Sequence, residues 1–222
     1  MATSDDPHLQ FPAGFFDRTD AGSDAAFYGP PRLVTHIDNR AIAAVGALYE
    51  RLELQHGSVL DLMSSWVSHF RSAPSELVAL GMNEHELAAN AMATATVVHD
   101  LNVNATLPFP DARFDAATCC VSIDYLVRPI DVIREVARVV RPGGAFVCTF
   151  SNRCFPTKAI HGWLSSNEEQ HCRIVQRYFA LAGGWEPAEA ALCTPPGTPG
   201  DPLLAVWARR SHPTVPPAQS SS

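Results

Sequence analysis

Residues 114–151 read "FDAATCCVSIDYLVRPIDVIREVARVVRPGGAFVCTFS", and the order of patterns within them decides the fold. From Phe114 the run "FDAATCCVSID" is short and mainly apolar, as suits a strand buried on both faces. In "RPIDVIREVARVV", Ile130, Ile133, Val136, Ala137 and Val140 recur at helical spacing and share one face. "RPGG" is expected to stop that helix, with glycine just beyond its C-terminus. "AFVCTFS" is then a second buried strand. Strand, helix and strand in this order call for parallel pairing, with the helix as the crossover.

The same alternation continues upstream. "HGSVLDL" (56–62) is a strand opened by Gly57, and "PSELVALGM" (74–82) is another. "NEHELAANAMA" (83–93) predicts a helix with acidic residues in its first turn, where the macrodipole favours them. "TATVVHDL" (94–101) predicts a third strand. Before them, "THIDNRAIAAVGALYERL" (35–52) carries Ile42, Val45, Leu48, Tyr49 and Leu52 at helical spacing, with Asp38 or Asn39 as its cap. Downstream, "EEQHCRIVQRYFALAGGW" (168–185) predicts a helix ended by Gly183 and Gly184. Two more strands follow, in "WEPAEAAL" and "PLLAVWARR", joined by "CTPPGTPGD". The implied fold is α/β, a mostly parallel sheet with helices on both faces. Three segments result: an N-terminal arm or lid over 1–35, a folded domain over 36–210 and a disordered tail over 211–222. The first 28 residues mix Pro, Gly and Asp with Phe pairs, the pattern of an extended arm without regular elements.

Composition narrows the function. The chain has 222 residues, 46% hydrophobic and 18% charged, with a formal charge of −7. That balance argues against nucleic acid or an anionic membrane as main partner, since both reward clustered Lys and Arg. No apolar run approaches the ~20 residues that span a bilayer. The start, "MATSDDPHLQ", lacks the basic-then-apolar order of a signal peptide, so a cytoplasmic location is expected. The six cysteines form no C-x-x-C pair, and no metal site is expected. Cys119, Cys120 and Cys148 fall in strands, where a free thiol acts as a small hydrophobe.

Four predicted strands end in polar groups. The first gives Asp61, Ser64 and Ser65; the second Asn83 and Glu84; the third His99, Asp100 and Asn102; the fourth Ser122, Asp124 and Tyr125. In an open parallel sheet the ligand crevice lies beyond these carboxyl ends. Each residue alone reads as an ordinary loop or cap residue; four together make a small-molecule pocket.

The stretch from about Ser58 to Trp163 resembles the class I S-adenosylmethionine-dependent methyltransferases. The residues that carry the resemblance are Leu107-Pro-Phe-Pro-Asp, Phe114-Asp115, Tyr125-Leu126 and Arg141-Pro-Gly-Gly, in that order and spacing. The resemblance implies a Rossmann-like sheet of seven strands whose last strand is antiparallel. It also implies S-adenosyl-L-methionine as cofactor, S-adenosyl-L-homocysteine as product and a small-molecule acceptor. Asp61 matches the acid that ends the first strand in that family, and Asp100-Leu101 the pair that contacts the adenine. The implied cofactor set is completed by Met63, Ser64, Ser65, Gly81, Met82, Asn83, Asn102, Val121 and Ser122. Tyr125, Asn152 and Arg153 fall where the family meets its acceptor. His36 and Tyr28, with Asp38 as a further candidate base, are the candidates for a catalytic role, needed only if the acceptor is protonated at neutral pH.

Two departures stand out. The family's glycine-rich turn after the first strand is here Met63-Ser-Ser-Trp-Val, so serines must supply the small size, with backbone N–H groups of a following helix facing the ligand. Ordinary negative φ is expected at these serines, and Trp66 and Val67 are expected to turn into the core. After the second strand, Gly81 stands where the family places an acid, leaving Asn83, or Glu84, to reach the ribose. These departures keep three readings open: methyl transfer to a small molecule, a cofactor-binding protein with another reaction such as cyclisation or isomerisation, and a non-enzymatic binding module.

Overall fold

The structure is a computed structural model that describes residues 6–197 and 199–212. All but the first two residues of the expected disordered tail lie outside that range.

The β-strands are β1 Ser58–Leu62, β2 Glu76–Gly81, β3 Ala95–Val98, β4 Phe114–Cys120, β5 Val140–Phe150, β6 Glu189–Leu192 and β7 Leu204–Arg209. They form one seven-stranded sheet in the order β3-β2-β1-β4-β5-β7-β6. The first five are parallel, and β7 runs antiparallel to both β5 and β6. The chain starts at the centre with β1, moves outward to β3, then returns to β4. β1 and β4 therefore flank the switch point where a ligand crevice opens.

The helices are α1 Asp24–Tyr28, α2 Asn39–Arg51, α3 Glu84–Ala88, α4 Pro129–Val139, α5 His161–Leu164 and α6 Glu168–Ala182. Ile130, Ile133 and Val136 of α4 and Val175 and Phe179 of α6 bury their apolar faces on one side of the sheet, against Leu60, Phe114 and Phe146. On the other side Val45, Leu48 and Tyr49 of α2 pack with Val59, Leu77 and Val147. The Asp38 carboxylate caps α2 by accepting from the Ala41 N–H at 2.8 Å. Gly183, at φ 70°, ends α6 as expected.

Several local expectations are corrected. "RPGG" does not follow the helix as a stop: α4 ends at Val139, and Val140 already pairs with Phe114. The register slips between Phe114 and Ala116, so Arg141–Gly144 form an irregular stretch within β5, with Gly143 at φ 81°. A side chain at Gly144 would collide with the Asp115 carbonyl. The expected helix over 83–93 is cut to Glu84–Ala88, because Asn90 turns to bond Ser65 and Ser68. The arm has regular elements after all: a 3-10 turn over Pro7–Gln10, capped by Asp6, and α1. Its Phe11, Phe15 and Phe16 pack as an aromatic cluster on Tyr178 of α6.

No helix follows β1. Residues 63–75 cross to β2 without one, where parallel crossovers usually carry a helix.

Candidate active site

A cavity of about 560 Å³ opens at the carboxyl ends of β1, β2, β3 and β4. Tyr28 and Arg32 from the arm and His36 just after it close one side, and Asn152, Arg153 and Phe155 after β5 close another. Each of the four strand ends thus brings polar residues picked out in the sequence to the cavity, though Glu84 and Asp124 do not line it.

The β1 side is built around Asp61, which is 3% exposed. Its carboxylate accepts from Ser64 Oγ at 2.7 Å, Ser68 Oγ at 2.6 Å and Thr118 Oγ1 at 2.7 Å. Burial raises its pKa, and these three hydroxyls oppose the rise. Asp61 therefore ties the helix-free loop to β4 from beneath. Ser64 N donates to Leu80 O at 2.8 Å, laying the loop across the end of β2. That placement explains Gly81: a side chain there would collide with the Ser64 carbonyl. No acidic side chain fits at the end of this strand.

The expectation that the serines take ordinary backbone angles holds, since Ser64 and Ser65 are outside the left-handed region; Met63 occupies it instead, at φ 52°. Trp66 and Val67 do not enter the core. Both line the cavity, and Trp66 Nε1 donates to Val34 O at 3.1 Å. With no helix after the loop, the chain there has no turn that could carry them inward.

On the β2 side Asn83 caps α3, its amide oxygen accepting from Glu86 N at 3.1 Å, while its amide nitrogen donates to the carbonyls of Tyr28 and Gly29. Glu84 is exposed at the start of α3 and does not line the cavity. The carboxylate that does line the cavity is Glu86. It accepts from Ser65 Oγ and from the Arg32 backbone N–H, each at 2.6 Å. Sequence reasoning passes over Glu86 as a helix-face acid; the signal is its place three residues after the cap Asn83, on the same side of the first turn.

On the β3 side Asp100 folds its Oδ1 onto the N–H groups of Asn102 and Val103, at 2.9 and 3.3 Å. Its Oδ2 takes no bond from the described residues. Leu101 is buried and lines the cavity. Asn102 lines it too, yet its side chain is spent on Asp24, Tyr125 O and Val127 N. Beyond β4, Val121 lies in the left-handed region at φ 46°, and Ser122 Oγ donates to Cys120 O.

At the far end, Tyr125 accepts a bond from Phe155 N through its hydroxyl, at 2.8 Å. Asn152 is exposed on the rim, and Arg153 reaches Asp201 at 3.7 Å. Tyr28 presents a buried hydroxyl with no partner, and burial raises its pKa, so it stays protonated. One edge of His36 is exposed and its ring packs on Phe155; desolvation on that side lowers its pKa and favours the neutral imidazole.

The arm is anchored from within. Lys158, with no exposed side-chain surface, pairs with Asp20 and Asp24 at 3.0 Å each, and Arg18 pairs with Asp24 at 2.8 Å. Asp24 also takes the Asn102 amide at 2.8 Å, which links the arm to the turn after β3. Among the described residues no cluster of His, Cys, Asp or Glu could hold a metal ion.

Residues 46–148 match the family described as "Methyltransferase domain". The chain is 33% identical over 98 residues to the ubiquinone/menaquinone biosynthesis C-methyltransferase UbiE of Bartonella quintana, covering 44% of this chain and 32% of that protein. The chain spans about a third or less of the length of the curated relatives it matches. Among solved structures, the 1,6-didemethyltoxoflavin-N1-methyltransferase of Burkholderia thailandensis, with 1,6-didemethyltoxoflavin and S-adenosylhomocysteine bound, superposes with a TM-score of 0.58. It is 14% identical, with 79% of this chain and 80% of that chain covered. The cyclase SpnF superposes with a TM-score of 0.56 at 16% identity, covering 84% and 91%. These likenesses are ones of fold.

Proposed function

We propose that this chain, whose residues 46–148 match the methyltransferase-domain family, is a class I S-adenosylmethionine-dependent methyltransferase acting on a small molecule. The observation that carries this reading is the cavity joining four strand tips to the arm. Its volume lies within the ~300–1,000 Å³ of small-molecule sites. Its lining suits the cofactor: Asp100 keeps Oδ2 to accept from an exocyclic amine, Leu101 offers an apolar edge, and Glu86 supplies the carboxylate that Gly81 cannot. A carboxylate suits a ribose diol because it accepts two hydroxyl bonds at once.

When bound, the cofactor supplies an electrophilic methyl group on a sulfonium. What this chain contributes is alignment and the exclusion of water. Tyr28, protonated, donates to the acceptor, and neutral His36 accepts a proton from it. Met63, Ser64 and Ser65 border the methionine end, with Met82, Val121 and Ser122 on the flanks. The arm, described from residue 6 to 35, closes over the ligand, held through Trp66, Asn83 and Glu86.

Titration calorimetry of the purified chain with S-adenosylmethionine and S-adenosylhomocysteine tests the reading. Micromolar binding of both is expected; no heat with either would sink it. Protease cleavage within the first 35 residues should slow when cofactor is added.

The helix-free loop over 63–75 favours a second reading, in which the same pocket serves a reaction other than methylation. SpnF, a cyclase, shares the fold. Methyl transfer from the radiolabelled cofactor to any acceptor in a metabolite extract separates the two.

A further inference from the structure

The acceptor end of the cavity has a composition unlike the cofactor end. Phe155 is its hub. Four rings surround it: Phe27 at 5.4 Å, Tyr28 at 6.5 Å, His36 at 5.3 Å and Tyr125 at 5.9 Å between centroids. Three of them stand nearly perpendicular to it, at 72–74°, an edge-to-face arrangement that a further planar ring can join. All but Phe27 line the cavity.

A guanidinium sits in this cluster. Arg32 lines the cavity, with its Cζ 4.8 Å from the Phe27 ring centre and 5.7 Å from that of Phe155. Its side chain donates to the Phe27 and Pro30 carbonyls, at 2.9 and 3.4 Å. No carboxylate among the described residues pairs with it. The other charged groups at this end are engaged: Asp24 by Arg18 and Lys158, Arg153 by Asp201. A guanidinium has five N–H donors, and two bonds to carbonyls and two ring faces leave most of its donors free and its charge without an anionic partner among the described residues. Nearby, the buried Tyr28 hydroxyl has no partner.

We infer that the acceptor is a planar aromatic acid: a ring seated on Phe155, a carboxylate on Arg32 and a ring hydroxyl toward Tyr28 and His36. The inference rests on the small-molecule reading above and adds the substrate class. A planar carboxylate matches the fork of the guanidinium, which is worth most where rings exclude water.

The test is calorimetric titration of the full chain with 4-hydroxybenzoate, its methyl ester and 4-hydroxycyclohexanecarboxylate, each with and without S-adenosylhomocysteine. The aromatic acid should bind at least ~10-fold tighter than either analogue, the size of one charge-assisted bond. Arg32→Gln should abolish the preference of acid over ester, and Arg32→Lys should restore part of it, which also excludes a merely misfolded variant. Phe155→Leu should abolish the preference of the aromatic over the saturated ring. Equal binding of acid and ester by the unaltered chain would overturn the assignment of Arg32. Equal binding of the aromatic and saturated acids would overturn the ring site, and no binding of any probe would overturn both. S-adenosylhomocysteine titrated alone reports on the cofactor reading separately: its failure beside the expected acid preference strikes that reading and leaves this one standing.

Discussion

Asp61 and Asp124 occupy neighbouring tips of the sheet, one in β1 and one in the 3-10 turn Ile123–Tyr125 after β4. Each is 3% exposed. Asp61 receives three hydroxyl bonds, from Ser64, Ser68 and Thr118. Asp124 has a carboxyl oxygen with no partner among the described residues and interacts with Tyr28, Tyr125, Tyr178 and Cys154 and with no cation among them. Burial pushes its pKa up to about 8. The same residue type at the same depth is thus a tie in one place and a neutral acid in the other. Burial sets the cost of the charge, and the number of donors decides how much of that cost is offset.

The largest expected effect is on pH dependence. Asp124 titrates near 8 when folded and near 3.8 when unfolded. Its contribution to stability is therefore complete below about pH 4 and is lost as pH rises towards 8. Each tenfold difference in proton affinity between the two states corresponds to ~1.4 kcal/mol, so the fall is on the order of 5 kcal/mol. Asp124→Asn, neutral and of the same shape, should flatten this slope in urea-unfolding series at pH 4 to 8. A slope unchanged in the variant would show that Asp124 is charged in the folded protein and the contrast with Asp61 false.

Next in size is Asp61→Ala, which leaves three hydroxyls facing a void and releases the loop from β4. A loss of about 3 kcal/mol at pH 7 is expected, since a bond to a charged acceptor is worth ~1.5–3 kcal/mol and the three are not additive. A loss under ~1 kcal/mol would mean that the loop is held by other means. A third aspartate sharpens the comparison: Asp100 is partly exposed and spends only Oδ1 on the protein. Asp100→Ala should weaken S-adenosylhomocysteine binding by ~1.5–3 kcal/mol; an unchanged Kd would remove it from the adenine site. The smallest effect belongs to Ser64→Ala, one donor of the three, at ~0.5–1.5 kcal/mol of stability. If it matches Asp61→Ala, the carboxylate acts through Ser64 alone.

Much of this is legible in the chain. Helices α2, α4 and α6 follow from apolar residues at a period set by the backbone itself, and the strands from short continuous apolar runs. The family resemblance, the seven strands and the convergence of polar strand ends also come from local patterns. The roles of the turn residues do not. Asn83 reads as a ribose contact, but its amide is divided between α3 and the arm. Trp66 reads as a core residue because its bulk beside a ligand would displace it, yet it lines the cavity. Glu86 reads as a solvated helix acid until the arm folds back onto it.

What the sequence determined by itself is the set of elements and their order, because helix and strand patterns repeat within a few residues. Tertiary structure alone decided which polar groups are spent and which remain for a ligand. The partners in question lie far apart in the chain: 21 residues from Ser65 to Glu86, 54 from Arg32 to Glu86, and 57 from Asp61 to Thr118. No local period encodes such pairs. They exist only once parallel pairing has brought the tips of β1, β2 and β4 side by side, and burial has made every unpaired donor and acceptor costly.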